Sequence, residues 1–291
     1  MSDTLIYTVL VISIIGIISA VILYYVSQKF KVFEDPRIDL VEAILPAANC
    51  GGCGFAGCRA FAEACVNAND LADLFCTVGG NDGMSKVANT LGLTAVFKVP
   101  RTAVVRCNGT CTHRPKTNTF NGASTCAISS ALYSGETGCS FGCLGFGDCV
   151  PVCKFDAIHM NAETGLPEII DEKCTACGAC VEACPKFLIE LRKQMPKFRK
   201  IYVACMNKEK GGVASKSCEV ACIGCSKCEK ACEFGAIQIT NNLAFIDSDK
   251  CKLCRKCASV CPTSSILEIN FPPRKLKSEI PETEKCKPID A

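Results

Sequence analysis

Cysteine sets the chemistry open to this chain, which holds 27 of them in 291 residues, against two histidines and no tryptophan. Three runs share nearly one pattern: Cys174, Cys177, Cys180 and Cys184 (CTACGACVEACP), Cys222, Cys225, Cys228 and Cys232 (CIGCSKCEKAC), and Cys251, Cys254, Cys257 and Cys261 (CKLCRKCASVCP). The C-x2-C-x2-C-x3-C spacing puts three thiolates on one tight loop, where they can grip a cubane [4Fe–4S] cluster, and carries the fourth away to a second cluster. Cys139, Cys143, Cys149 and Cys153 form a stretched version, spaced x3, x5 and x3. Upstream, Cys50, Cys53, Cys58 and Cys76 follow C-x2-C-x4-C-x17-C, with Gly51, Gly52, Gly54 and Gly57 among them. Glycines there let the backbone fold tightly and aim amide N–H groups at cluster sulfurs. The chemistry implied is one-electron transfer, with potentials set by hydrogen bonds, charge and solvent exposure.

Two other uses of so many cysteines weigh less. A disulfide framework suits short secreted chains, and this one is long, with an odd cysteine count. Structural zinc sites take paired cysteines, or cysteines with histidines, rather than triplets with a distant fourth ligand and a proline. A formal net charge of +3, with dispersed basic residues, argues against a nucleic-acid partner. No G-x-G-x-x-G fingerprint, P-loop or Ser-His-Asp arrangement occurs, so no catalytic residue is assigned. His159 alternates with apolar residues in a strand-like segment and reads as a packed or surface side chain, and His113 carries no more weight.

The elements that must position these cysteines are legible in order. Leu5 to Val26 is a run of 22 residues without a charge, long enough for a bilayer, which needs about 20 apolar residues. Asp3 precedes it, while Lys29 and Lys31 follow. That bias predicts a single-pass anchor (1–28) in a prokaryotic cytoplasmic membrane, with residues 5–26 in lipid and the rest of the chain on the cytoplasmic side. A polar linker (29–45) leads to a single-cluster domain (46–96), in which Arg59 to Asn67 is helical in pattern. Cys65, on that helix, reads as a buried hydrophobe.

From about residue 97 one unit is used twice (97–195 and 196–271). Each copy opens with an apolar strand ending in cysteine, AVVRC to Cys107 and IYVAC to Cys205. Each then has an isolated cysteine, Cys126 or Cys218, followed by two ligand runs with a hairpin signal between them, AIHMNAETGLPEIID or AIQITNNLAFID. Cys149 to Cys228 is 79 positions and Cys174 to Cys251 is 77, a nearly constant period. The tail, 272–291, is rich in proline and charge and is expected to be disordered; Cys286 stands alone in it.

The fold class expected is α+β: a transmembrane helix, a small single-cluster domain, then two tandem bacterial-ferredoxin-like units. Crossed ligation, as in two-cluster ferredoxins, assigns Cys139, Cys143 and Cys149 with Cys184, and Cys174, Cys177 and Cys180 with Cys153. In the second unit it assigns Cys222, Cys225 and Cys228 with Cys261, and Cys251, Cys254 and Cys257 with Cys232. With the Cys50 set this makes five [4Fe–4S] clusters. The matching positions of Cys107 with Cys205 and Cys126 with Cys218 suggest a sixth, held between the units.

The run Cys50 to Cys76 resembles the small iron–sulfur domain found beside membrane anchors in anaerobic redox proteins. Anchor, C-x2-C-x4-C-x17-C domain and ferredoxin runs together resemble the B subunit of the Rnf complex, in its longer form. The resemblance covers the chain apart from the tail; Cys65, Cys111 and Cys286 do not fit the family's ligand pattern. It implies an iron–sulfur electron-transfer subunit of a membrane complex that oxidises soluble ferredoxin, reduces NAD at another subunit and moves Na+ or H+, with other Rnf-type subunits as partners. A polyferredoxin-type subunit of another anaerobic membrane oxidoreductase, or a reductase with an open-site cluster, is the alternative. An acidic ferredoxin would dock on basic side chains: Arg192, Lys193, Lys197, Arg199 and Lys200 between the units, or Lys250, Lys252, Arg255 and Lys256 beside a cluster.

Overall fold

The computed structural model describes residues 2–29, 34–133 and 135–273. Lys31, Cys286 and the tail from 274 onward lie outside the described residues. The first helix, α1 (Ser2–Lys29), contains a stretch, Ile6–Lys29, with mean hydropathy 2.8 and no residue buried in the rest of the protein. Its apolar residues go all round, so it has no polar face to offer water and is long and apolar enough to cross a membrane.

Three helices make the next layer. In α2 (Pro36–Ile44) the Asp35 carboxylate accepts from the Arg37 amide at 2.9 Å, and Pro36 fills a first-turn position that needs no N–H. The others are α3 (Cys58–Asn67) and α4 (Gly80–Leu91), the latter closed by Gly92 in the left-handed conformation. Val41, Phe61, Cys65, Leu71, Met84 and Val87 form their core, all at most 1% exposed.

Each repeated unit is closed by pairing its first strand with its last. In the first unit β1 (Arg101–Val105) precedes α5 (Cys126–Leu132), the hairpin β2 (Ile158–Met160) and β3 (Pro167–Ile169), the one-turn helix α6 (Ala179–Glu182) and β4 (Ile189–Lys193). β1 pairs antiparallel with β4, and β2 with β3. After a 3-10 turn at Pro196–Phe198 the second unit repeats the plan. It runs β5 (Lys200–Val203), α7 (Gly211–Ser217), α8 (Lys227–Lys230), hairpin β6 (Ile237–Thr240) and β7 (Leu243–Ile246), α9 (Lys256–Ser259) and β8 (Ile266–Ile269). Here β5 pairs with β8 and β6 with β7.

The opening strands are buried almost throughout because the units pack against each other along them. Val104 meets Tyr202 and Ala204, with Leu267 and Ile269 at the edge. Polar groups in this seam are paired across it. Lys200 bonds the Asp171 carboxylate and, at 3.2 Å, the Ala103 carbonyl, while Thr102 Oγ1 donates to Asp171 at 3.0 Å. Arg106, 5% exposed, donates to the Val203 and Cys205 carbonyls at 3.3 and 3.4 Å. The two copies therefore meet through a seam of apolar contacts and hydrogen bonds that cross from one unit to the other.

Candidate metal centres

In the N-terminal domain the loop before α3 is shaped by glycine. Gly51 and Gly54 hold φ of +76° and +87°, and the Gly54 amide donates to the Gly51 carbonyl at 2.8 Å. Asn49 Oδ1 accepts from the Cys58 amide at 2.8 Å and fixes the start of the helix. Cys53 and Cys58 lie within electrostatic reach of Cys76, whose sulfur accepts the Gly79 amide at 3.3 Å; Cys50 opens the loop, half-buried. Cys65 also lies near Cys53 and Cys76, but fully buried in α3, and burial pushes its thiol up to about 12.

In the first unit one hollow is ringed by Cys126, Cys143, Cys149 and Cys184, with Val105, Leu144, Met160, Leu188 and Ile189 as walls. The Cys126 sulfur receives the backbone amides of Phe146, Gly147 and Asp148, and the Asp148 carboxylate in turn accepts the amides of Cys126 and Ala127 at 2.8 and 3.0 Å. A second hollow is ringed by Cys153, Cys174, Cys177 and Cys180. The second unit has two more, one ringed by Cys222, Cys225, Cys228 and Cys261 and one by Cys232, Cys251, Cys254 and Cys257.

Amides aim at several of these sulfurs: Ala157 at Cys153, Leu188 at Cys184, Ala103 at Cys174 and Leu253 at Cys251, all at 3.4–3.5 Å. Burial pushes the thiols of Cys149 and Cys228 up to about 11 and that of Cys257 to about 12, so a thiolate there needs a cationic partner. Cys261 differs. Burial raises it, but hydrogen bonds from Ser265 and Thr263 and from their amides outweigh this and leave it below the ordinary thiol value.

Four further cysteines gather at the joint between the units. Cys218 lies within electrostatic reach of Cys107 and Cys139, and Cys205 within reach of Cys139 and of Cys222. Asn207, 1% exposed, gives its amide to the Cys205 sulfur at 3.4 Å and its side-chain Nδ2 to the Cys139 sulfur at 3.7 Å. Arg114, also buried, lies within electrostatic reach of Cys143 and Cys218 and donates to the Cys143 carbonyl at 2.6 Å.

These sets also stand in a row. Gly52 in the N-terminal loop abuts Cys177, since a Cβ there would fall 2.8 Å from the Cys177 carbonyl, and Lys154 Nζ reaches the Asn49 carbonyl at 2.8 Å. Cys180 lies within reach of Cys149, Cys143 of Cys107, Cys205 of Cys222, and Cys257 of Cys228. The cysteine sets thus follow one another from the N-terminal domain to the far end of the second unit. Among the described residues, no three His, Cys, Asp or Glu side chains converge as a single metal ion requires. The residues present fit a bulkier group: four sulfurs on separate walls of an apolar hollow, with N–H donors behind them.

Geometry differs from the sequence reading at two cysteines. Spacing and repeat symmetry put Cys139 beside Cys143, Cys149 and Cys184, and Cys126 beside Cys107, Cys205 and Cys218. The structure exchanges them: Cys126 lines the first-unit hollow and Cys139 sits at the joint. The physical reason is the insertion between Cys107 and Cys139, which gives α5 room to fold back so that Cys126 reaches the hollow. The stretched x3–x5–x3 spacing was the available signal that Cys139 had left the usual register.

Among the basic residues, Arg192 and Lys200 are buried at 4% and 6% exposure, so they offer no docking charge. Arg255 forks onto Glu268 at 2.6 and 2.9 Å, and Lys256 pairs with Glu233. Lys250 and Lys252 are exposed. His159, on β2, is exposed and 3.7 Å from Glu168, and His113 lies 3.3 Å from Glu219. Cys111 is exposed, with its sulfur 3.5 Å from the Glu163 carbonyl.

Hollows ringed by crossed cysteine runs, in two copies behind an apolar helix, define a polyferredoxin-like iron–sulfur protein. Residues 138–188 and 221–265 match the family described as 4Fe-4S dicluster domain, and residues 45–73 match the one described as Putative Fe-S cluster. The first dicluster match includes Cys139 and begins after Cys126. The chain is 42% identical over 266 residues to the B subunit of the Na(+)-translocating ferredoxin:NAD(+) oxidoreductase complex of Acetobacterium woodii, covering 91% of this chain and 78% of that protein. It is 39% identical to the B subunit of the ion-translocating oxidoreductase complex of Methanosarcina acetivorans, covering 91% and 99%. It is 42% identical to the B subunit of the proton-translocating ferredoxin:NAD(+) oxidoreductase complex of Clostridium ljungdahlii, covering 92% and 93%. The chain belongs to the family of B subunits of the Rnf, or ion-translocating oxidoreductase, complexes.

Proposed function

We propose that this chain is the electron-transfer subunit of a membrane-bound, ion-translocating ferredoxin:NAD-type oxidoreductase, relaying electrons between soluble ferredoxin and the membrane subunits. The observation that carries this reading is the set of four hollows, two in each repeated unit, each ringed by four cysteines. When bound, a [4Fe–4S] cluster supplies a one-electron redox site. The chain's own residues hold such groups, exclude water from them and fix their order.

The ligand sets we assign are Cys50, Cys53, Cys58 and Cys76 in the N-terminal domain, then Cys153, Cys174, Cys177 and Cys180, then Cys126, Cys143, Cys149 and Cys184. In the second unit they are Cys222, Cys225, Cys228 and Cys261, then Cys232, Cys251, Cys254 and Cys257. Cys225 and Cys254 are the exposed ones among the described cysteines of these sets, which favours the second unit as the face that receives a ferredoxin. The exposed Lys250 and Lys252 beside it suit an acidic partner. Lys29, in the last turn of the apolar helix, favours a cytoplasmic position for everything that follows.

The test is reduction of the anaerobically purified complex by ferredoxin. Lys250→Glu with Lys252→Glu is expected to slow reduction several-fold at low salt and to converge on the wild-type rate as salt rises, because exposed charges are screened beyond about 10 Å at 0.1 M. An unchanged rate at every ionic strength removes this face as the docking surface. Reduction with no bleaching near 400 nm removes the iron–sulfur reading itself.

A further inference from the structure

We infer that Arg192, a residue of the first unit, acts across the seam as a positioning residue that raises the reduction potential of the second-unit centre at Cys232, Cys251, Cys254 and Cys257; this rests on the iron–sulfur reading above.

Each unit hands one buried cation to the other, and both land on the same place in the repeat. Ala103 and Ile201 each stand four residues before the cysteine that follows the opening strand, Cys107 or Cys205. Ala103 walls the hollow that holds Cys174, and Ile201 walls the one that holds Cys251. Lys200, from the second unit, donates to the Ala103 carbonyl at 3.2 Å, and Arg192, from the first, donates from Nη1 to the Ile201 carbonyl at 3.5 Å. Both cations are buried.

They differ in what opposes them. Lys200 pairs with the buried Asp171 carboxylate, so its charge is cancelled where it sits. The period of 77 puts Ser248 in the place of Asp171. The hairpin registers agree, since Ile169 opposite Ile158 matches Ile246 opposite Ile237. No carboxylate therefore answers Arg192 from that position. Its own partner, Glu190, also takes Arg106 Nη1 at 3.3 Å, so two guanidiniums share one carboxylate. Arg192 Nη2 is buried without a hydrogen-bond partner among the described residues, and the Phe245 ring lies 5.2 Å from each guanidinium. Arg192 is within electrostatic reach of Cys251.

Reducing a [4Fe–4S] centre adds one electron and one negative charge, and it takes no proton from Arg192, whose guanidinium stays charged throughout. A fixed cation nearby favours the reduced form, and a buried charge is screened less than an exposed one. The Lys200–Asp171 pair has no net charge to contribute. Centres at equivalent places in the repeat are thus set apart in potential by a side chain that the first unit lends to the second.

Redox titration of the full chain, isolated anaerobically and followed by EPR, tests this; the signals of the two centres are identified by their loss in Cys254→Ala and Cys177→Ala. Arg192→Met is expected to keep the iron and make the second-unit centre about tenfold harder to reduce, a fall of about 59 mV for a one-electron couple. Arg192→Lys keeps the charge and is expected to restore most of that fall. Lys200→Met with Asp171→Asn removes a neutral pair and is expected to leave the first-unit midpoint where it was. Glu190→Gln strips the guanidiniums of their counter-charge and is expected to raise the second-unit midpoint. An unmoved second-unit midpoint in Arg192→Met overturns the inference, as does an unmoved one in Glu190→Gln where Arg192→Met fails to hold its iron. Equal falls in Arg192→Lys and Arg192→Met overturn it too, leaving the side chain with packing alone. Iron-free wild type overturns the iron–sulfur reading beneath it, and the metal count tells that failure from the others.

Discussion

The two repeated units share a strand plan and differ in how they use their leading cysteine run. In the second unit Cys222, Cys225 and Cys228 keep the x2–x2 spacing and ring one hollow with Cys261. In the first the run is stretched; Cys126 arrives from α5, and Cys139 faces the other unit. The difference teaches that two copies of one strand plan can line corresponding hollows with cysteines drawn from different places in the chain. The closing cysteines differ as well. Cys184 receives the Leu188 amide at 3.4 Å, whereas Cys261, in the equivalent place, also meets the Ser265 and Thr263 hydroxyls at 3.3 and 3.8 Å.

The comparison breaks most visibly at its leading ligands. Cys126→Ala and Cys222→Ala are each expected to remove one whole cluster, about four iron atoms, from their own unit. Full iron content in Cys126→Ala would return the first unit to the uninterrupted pattern of the second and restore Cys139 to it. Next in size is the seam. Lys200→Ala leaves the Asp171 carboxylate buried without its cation, which costs about 3–5 kcal/mol, read as a lower melting temperature of the cluster-loaded chain. A loss below about 1 kcal/mol, the worth of an exposed pair, would show that burial adds nothing to this pair. The smallest effect sharpens the contrast between Cys184 and Cys261. Removing one hydroxyl donor with Ser265→Ala is expected to lower one cluster midpoint by about 20–60 mV, taking a hydrogen bond as about 0.5–1.5 kcal/mol and a one-electron couple. Redox titration with EPR would read it, and an unmoved set of midpoints would leave the hydroxyls with packing alone.

Much of the fold was legible because its signals are local. The helix over Arg59 to Asn67 and both hairpins lie where periodicity and turn residues put them, and so do the opening strands, which stop two residues short of Cys107 and Cys205. The three regular runs likewise announce their crossed neighbours, since Cys153 and Cys232 do ring the hollows of the following runs. What the sequence could not convey was partnership across an insertion. Cys126 and Cys218 hold the same rank in their units, and rank suggested a shared destination. Distance in space depends on how α5 packs, and no spacing rule reports that. The same holds for Arg192 and Lys200, whose charge suggested surface until packing of β4 and β5 enclosed it. Asn207 and Arg114 carry no motif and became visible only through burial and the atoms they face.

The contact at Gly52 has a further consequence. Gly52 brings its loop directly against Cys177, and the Lys154 side chain, bonded to the Asn49 carbonyl, lies beside the contact as a flexible link. Any movement of the N-terminal domain that lifts this loop off Cys177 parts the row at its first link, and the junction would then behave as a breaker in the circuit, closed only while the two surfaces stay together.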